Sequence, residues 1–308
     1  MLTSLRVSAV IVSLLALGAS KPTVLDKIQQ LENSNSPLLV YPTQFTQDIV
    51  PKYVHSHNDY WREVPLLTAL SYGIGSVEAD VWLVNGTLYV GHETQALTKA
   101  RTFQALYIQP LLSILQGQNP ATPFHSGQTG RNGVWDTDSG RSLQLIVEIK
   151  TDGDTTLPYV VEELQPLRDY GYLTTFEYGV LTTGPVTVVG TGLTPLEGVK
   201  KLSPRDFFYD GPLTKLTNTA DTTWSASLSP IASTDWGVIG WDGTSPITSD
   251  QRSTLRNLVQ HANSLGIRAR FWDVPSWPIY ARDNIWKELL ASGDIWLNAD
   301  DLEAVANF

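Results

Sequence analysis

From Val50 onward, short apolar runs alternate with helix-like stretches, and polar pairs spaced i, i+2 stand at the ends of several runs. This alternation constrains the fold more than any other feature. A strand of period 2, a stretch of period 3.6 and another strand make a βα unit, and βα units build parallel sheets. The pattern predicts a strand over Val50 to His55, a helix over Pro65 to Tyr72 ended by Gly73, and a strand over Ser76 to Leu83. A hairpin then runs through Asn85-Gly86, a strong turn signal, to Leu88 and Val90. Further helices are expected over Leu106 to Leu115, Leu157 to Tyr170 and Asp250 to Leu265, the last opening on a capping box at Thr248-x-x-Gln251. Leu143 to Ile149 reads as a buried parallel strand, after a long polar loop over Asn119 to Ser142. Strands recur at Ile267 to Trp272 and Asp294 to Leu297, whereas the pattern between Leu173 and Ile239 fixes no strand limits. A (β/α)8 barrel commonly takes about 250 residues. A single α/β TIM barrel over residues 48–308 is therefore the expected fold.

The first twenty residues read differently. Arg6 closes a short positive region, Val7 to Leu17 is almost wholly apolar, and Gly18-Ala19-Ser20 supplies small residues for cleavage. The apolar run falls short of the roughly 20 residues that span a bilayer, so residues 1–20 are expected to be a signal peptide rather than a stable membrane span. The expected location is then outside the cell or at its surface. Residues 21–47 form a polar lead-in. Asn85-Gly86-Thr87 is a glycosylation sequon that suits the same route and serves equally as a plain turn. The chain has no Cys, so its core must stabilise it without disulfides. A net charge of −10 and the lack of any Lys/Arg block argue against a nucleic-acid partner and against purely electrostatic membrane contact.

The chemistry concentrates in a few residues. His55-Ser-His57-Asn58-Asp59 is followed by Glu78-x-Asp80, Gly91-His92 and, later, Glu148-x-Lys150. Side chains at i and i+2 of a strand share a face, so each such pair aims one way. In a parallel barrel, functional side chains stand at the C-terminal strand ends, where these pairs are expected. Buried carboxylates need a partner or an ion. Glu78, Asp80 and Glu148 together therefore suggest a hard divalent cation, Mg2+ or Ca2+, with Asn58 as a further neutral oxygen ligand. Histidines on either side suit general acid–base work near neutral pH. A phosphodiester substrate would fit between them, with Lys150 and the cation offsetting charge on its phosphoryl oxygens.

The order and spacing of these motifs resemble the superfamily of phospholipase-C-like phosphodiesterases. His57-Asn58-Asp59-Tyr60 is similar to the His-Asn motif of the phospholipases, and Val77-Glu78-Ala79-Asp80-Val81 to the superfamily's Glu-x-Asp metal motif. Gly91-His92 takes the second-histidine position, and Glu148-Ile149-Lys150 resembles the Glu-x-Lys motif of glycerophosphodiester phosphodiesterases. Phe271-Trp272-Asp273 and Ile295 to Asp300 resemble that family's last two barrel strands. Over roughly Val50 to the C-terminus, the chain resembles most the fungal altered inheritance of mitochondria protein 6 group. The resemblance implies a TIM-barrel phosphodiesterase acting on a glycerophosphodiester or phospholipid head group. His-Ser-His replaces the glycerophosphodiesterase His-Arg-Gly, which leaves His55 and His57 as alternatives for the first catalytic histidine.

Other polar residues carry plainer readings. His125 is expected in a solvated loop, His261 on a helix beside its apolar stripe, and Asp242 in a turn. Trp272 and Asp273 are candidates to line the pocket, and Asn298 and Asp300 are weaker ones. The rival to an enzyme is an inactive barrel that binds a lipid, glycan or metal.

Overall fold

The computed structural model describes residues 21–41, 43–124, 130–217 and 220–308. The expected signal peptide and His125 lie outside the described residues. The chain divides into two compact units after Tyr41. In the first, the helix Val24–Glu32 starts at a capping box in which Thr23 and Asp26 bond each other's backbone N–H. No residue of this helix is buried.

In the second unit, eight parallel strands close into a barrel: β1 (Lys52–Ser56), β2 (Ile74–Val84), β3 (Leu143–Ile149), β4 (Val186–Gly192), β5 (Phe208–Pro212), β6 (Ile231–Asp235), β7 (Arg268–Trp272) and β8 (Ile295–Ala299). Closure comes from β1, which pairs with β8 on one side and β2 on the other. The (β/α)8 barrel expected from the alternation is therefore the fold. The antiparallel strand Thr87–Val90 extends β2 through Asn85 and Gly86, both at positive φ (51° and 78°) as a tight hairpin demands.

Helices Leu67–Ser71, Gln109–Gln118, Leu196–Lys200, Ser249–Ser264 and Ile279–Leu290 connect strands, and Leu302–Ala306 follows β8. The Thr248–Gln251 capping box starts the longest of them, and Leu255, Leu258, Val259 and Ala262 form its buried stripe. Two expected helices differ in detail. Gln104–Ile108 is a π turn leading into Gln109–Gln118. The stretch after β3 is two pieces, Gly153–Glu163 and Gln165–Asp169, and Pro166, which lacks an N–H, opens the second.

Period 2 sorts the barrel interior into layers. Ile146, Val189, Phe208, Ile231 and Trp296 pack together as an apolar layer distinct from the larger core outside the barrel. Two residues further along the same strands stand Glu148, Thr191, Asp210, Ser233 and Asn298. The interior thus turns from apolar to polar within one strand repeat, toward the C-terminal mouth.

Candidate functional site

Asp80 and Glu148 are direct partners in the β2–β3 register, and Glu78 precedes Asp80 by one strand repeat on the same face. One oxygen from each of Glu78, Asp80 and Glu148 lies within 4.8 Å of the others. Glu78 and Asp80 are buried, and Asp80 Oδ1 has no hydrogen-bond partner among the described residues. Three convergent carboxylates with an orphaned buried oxygen fit a hard divalent cation. Lys150, two residues past Glu148, lies 2.7 Å from Glu148 Oε1 and 3.0 Å from Asp80 Oδ2.

The electrostatics follow from crowding. Burial, with Glu78 and Glu148 nearby, pushes the Asp80 carboxyl up to about 7, against the pull of Lys150 and Tyr60. Glu78 goes the other way: burial raises it, but Arg270 and the histidines hold it well below the usual carboxylate range. Burial works to lower the Lys150 ammonium, yet its two carboxylates raise it.

The hairpin returns the second histidine to this cluster. Gly91 N–H donates to Asp80 O at 3.1 Å, and the Trp82 indole donates to Gly91 O at 2.7 Å. His92 Nδ1 then lies 3.4 Å from Asp80 Oδ2 and 3.1 Å from the Tyr60 hydroxyl, with the Trp61 ring 5.3 Å away. Tyr60 is a hub. Its hydroxyl also reaches Asp80 Oδ2 at 2.7 Å and bonds Asn58 Oδ1. Asn58, at φ 49°, donates its backbone N–H to Glu78 Oε2 at 2.7 Å.

The structure separates the two histidines of His-Ser-His. His55 is fully buried, with Nδ1 2.7 Å from Ser76 Oγ and Nε2 3.7 Å from Glu78 Oε2. Burial and Arg270 push its imidazole down to about 4. His57 sits at the mouth, with Nδ1 2.8 Å from Asp300 Oδ1. Burial works to lower His57, but the bond to Asp300 together with the charges of Glu78 and Asp300 outweighs it and raises the imidazole. A groove of about 450 Å3 opens beside His57, lined also by Asp273, Ile279, Arg282, Trp286 and Asp300. Trp272 is 40% exposed. Asp242 accepts from Thr244 N–H in a turn, and His261 lies on the Ser249–Ser264 helix.

Arg270 was not singled out by sequence reasoning. It is 4% exposed inside the barrel, donates Nε–H to Asn298 Oδ1 at 2.9 Å and lies 3.5 Å from Glu78 Oε1. The available signal was Arg268-Ala269-Arg270 within a strand otherwise destined for the interior. Tyr60 is a second such residue, within His57-Asn58-Asp59-Tyr60.

Residues 43–210 match the model of the AIM6-like phosphodiesterase domain. The chain belongs to that family. It is similar to the altered inheritance of mitochondria protein 6 homolog of Arthroderma benhamiae, at 44% identity over 98% of this chain and 99% of that protein. It is also similar to altered inheritance of mitochondria protein 6 of Eremothecium gossypii, at 35% identity over 86% of this chain and 72% of that protein. A glycerophosphodiester phosphodiesterase from Parabacteroides distasonis is similar at 11% identity and a TM-score of 0.44, over 82% of this chain and 96% of that one. This member of the AIM6-like family is thus a phosphodiesterase-like barrel with an acidic cluster at its mouth. Among the described residues, no helix is long and apolar enough to cross a membrane.

Proposed function

We propose that the protein is an exported, divalent-cation-dependent phosphodiesterase acting on a glycerophosphodiester or a phospholipid head group. One observation carries the reading: Glu78, Asp80 and Glu148 converge at the mouth beside two histidines, each held through Nδ1. Nε2 of His57 and of His92 is then the nitrogen left to exchange protons with a substrate. Glu78, Asp80 and Glu148 would hold Mg2+ or Ca2+, with Asn58 as a neutral oxygen donor, and the ion would supply charge against that growing on the phosphoryl oxygens.

The chain's own groups do the rest. One of His57 and His92 takes the proton of the attacking hydroxyl, and the other returns a proton to the leaving oxygen. Asp300 orients His57 and favours its charged form, while Tyr60 and Asp80 orient His92. Lys150 brings positive charge toward the phosphate from beside both carboxylates.

A 31P NMR assay of glycerophosphodiesters, phosphoinositides, sphingomyelin and lysophospholipids, each with Mg2+, Ca2+ or Mn2+, tests this reading. It also separates a cyclic phosphate, formed by a substrate hydroxyl, from a monoester formed by water. Cleavage that falls about 10²-fold or more in His92→Ala with an unchanged circular dichroism spectrum is the expected result. Substrates that bind yet all stay intact would favour the inactive binding barrel. Export rests on the apolar run of residues 7–17 and the small residues after it. The protein should be found in the medium or at the cell surface with an N-terminus near Lys21; confinement to the cell interior would contradict export, and a retained Met1 would contradict cleavage of the leader.

A further inference from the structure

We infer that His55 is a positioning residue for Glu78, fixed in its Nε2–H tautomer by a row of hydrogen bonds through Ser76 and Gln144. The role rests on the proposed cation site; the tautomer does not.

Sheet register builds the row. His55 on β1 pairs with Ser76 on β2, and Ser76 pairs with Gln144 on β3. All three side chains are buried. Gln144 Nε2 donates to Ser76 Oγ at 2.9 Å, and Ser76 Oγ lies 2.7 Å from His55 Nδ1. The Gln144 amide nitrogen only donates and occupies one lone pair of Ser76, and among the described residues the Ser76 hydroxyl proton has no other acceptor than His55 Nδ1. A ring whose Nδ1 accepts carries its proton on Nε2.

The other end of the ring selects the same tautomer. Among the described residues Nε2 has no hydrogen-bond partner within normal reach, and it faces Glu78 Oε2 at 3.7 Å. The opposite tautomer would set a lone pair against a carboxylate oxygen at a site with no water access, which is strongly unfavourable at low dielectric. Donors from three places thus surround one carboxylate: His55 on β1, the Asn58 N–H just beyond it, and Arg270 on β7. Removing the imidazole would leave Glu78 freer to turn away from Asp80 and Glu148. His55, walled in below the mouth, acts through Glu78 rather than on substrate.

Two measurements test this. Long-range 1H–15N correlation on histidine-labelled, cation-free protein at neutral pH should show His55 protonated at Nε2 and bare at Nδ1. A wild-type His55 protonated at Nδ1 overturns the row. Calorimetric titration with Mn2+ alone should find His55→Leu weaker by about 10–100-fold and His55→Gln, which keeps an N–H donor, within about threefold of wild type. A Leu variant that binds as tightly as a wild type that binds overturns the positioning role. A wild type that takes up no Mn2+ overturns the cation reading itself.

Discussion

Only Ser56 separates His55 from His57, and that step carries the chain from the closed barrel interior to its mouth. Water access and partners then divide their chemistry. His57, bonded to Asp300, is the more easily protonated of the two. Its folded value is raised above 6.5, so its bond to Asp300 adds stability below that pH and the benefit is lost as pH rises through the folded value. Asp300→Asn removes the attraction and leaves burial dominant. The His57 titration, followed by its Cε1 proton in NMR, should then move to lower pH, and an unmoved midpoint would remove Asp300 from the account. Much of this residue-scale pattern was legible, because Glu78-x-Asp80 and Glu148-x-Lys150 needed only the two-residue strand repeat. Arg270 and Asp300 were harder to read. Each meets its partner, Glu78 or His57, from a distant part of the chain, so only barrel closure brings them together.

At the scale of elements, register does the positioning. Asp80 faces Glu148 because β2 and β3 pair in parallel at that step, and His92 returns because a two-residue turn doubles the chain back along β2. Asn85-Gly86 announced that turn plainly. The break before Gln165–Asp169 was less visible, since the apolar spacing runs on past Pro166. Behind Glu148, Gly192 ends β4 at φ 64°, and a Cβ there would lie 2.7 Å from Glu148 Cγ. Gly192→Ala therefore meets both a backbone that L residues rarely adopt and a side chain that must move. The expected result is a fold weakened by about 1 kcal/mol or more and a clear loss of Mn2+ affinity by calorimetry. Unchanged affinity would show that Glu148 is not held by this contact.

The whole molecule places a cost on its site. An apolar layer of Ile146, Val189, Phe208, Ile231 and Trp296 fills the barrel beneath a polar one, so the acids above it lose water without a protein partner for each oxygen. Asp80 bears most of this. Its folded carboxyl is raised from 3.8 to about 7, so its contribution to stability is full below pH 3.8 and is lost as pH rises through about 7. Asp80→Asn imitates the protonated form. Its cation-free stability should pull ahead of wild type by roughly 1.4 kcal/mol for each pH unit between those limits. Urea unfolding across pH checks this, and equal midpoints at pH 8 would contradict it. The same linkage makes cation binding release a proton and weaken as pH falls below about 7.

The most direct test of the central claim is a crystal grown with Mn2+ and phosphate and measured at a wavelength where Mn2+ scatters anomalously. The expected result is an anomalous peak coordinated by Glu78, Asp80 and Glu148, with phosphate between it and the Nε2 atoms of His57 and His92. A Mn2+ peak elsewhere, or carboxylates still bound only to Lys150 beside a phosphate that avoids both histidines, would contradict it.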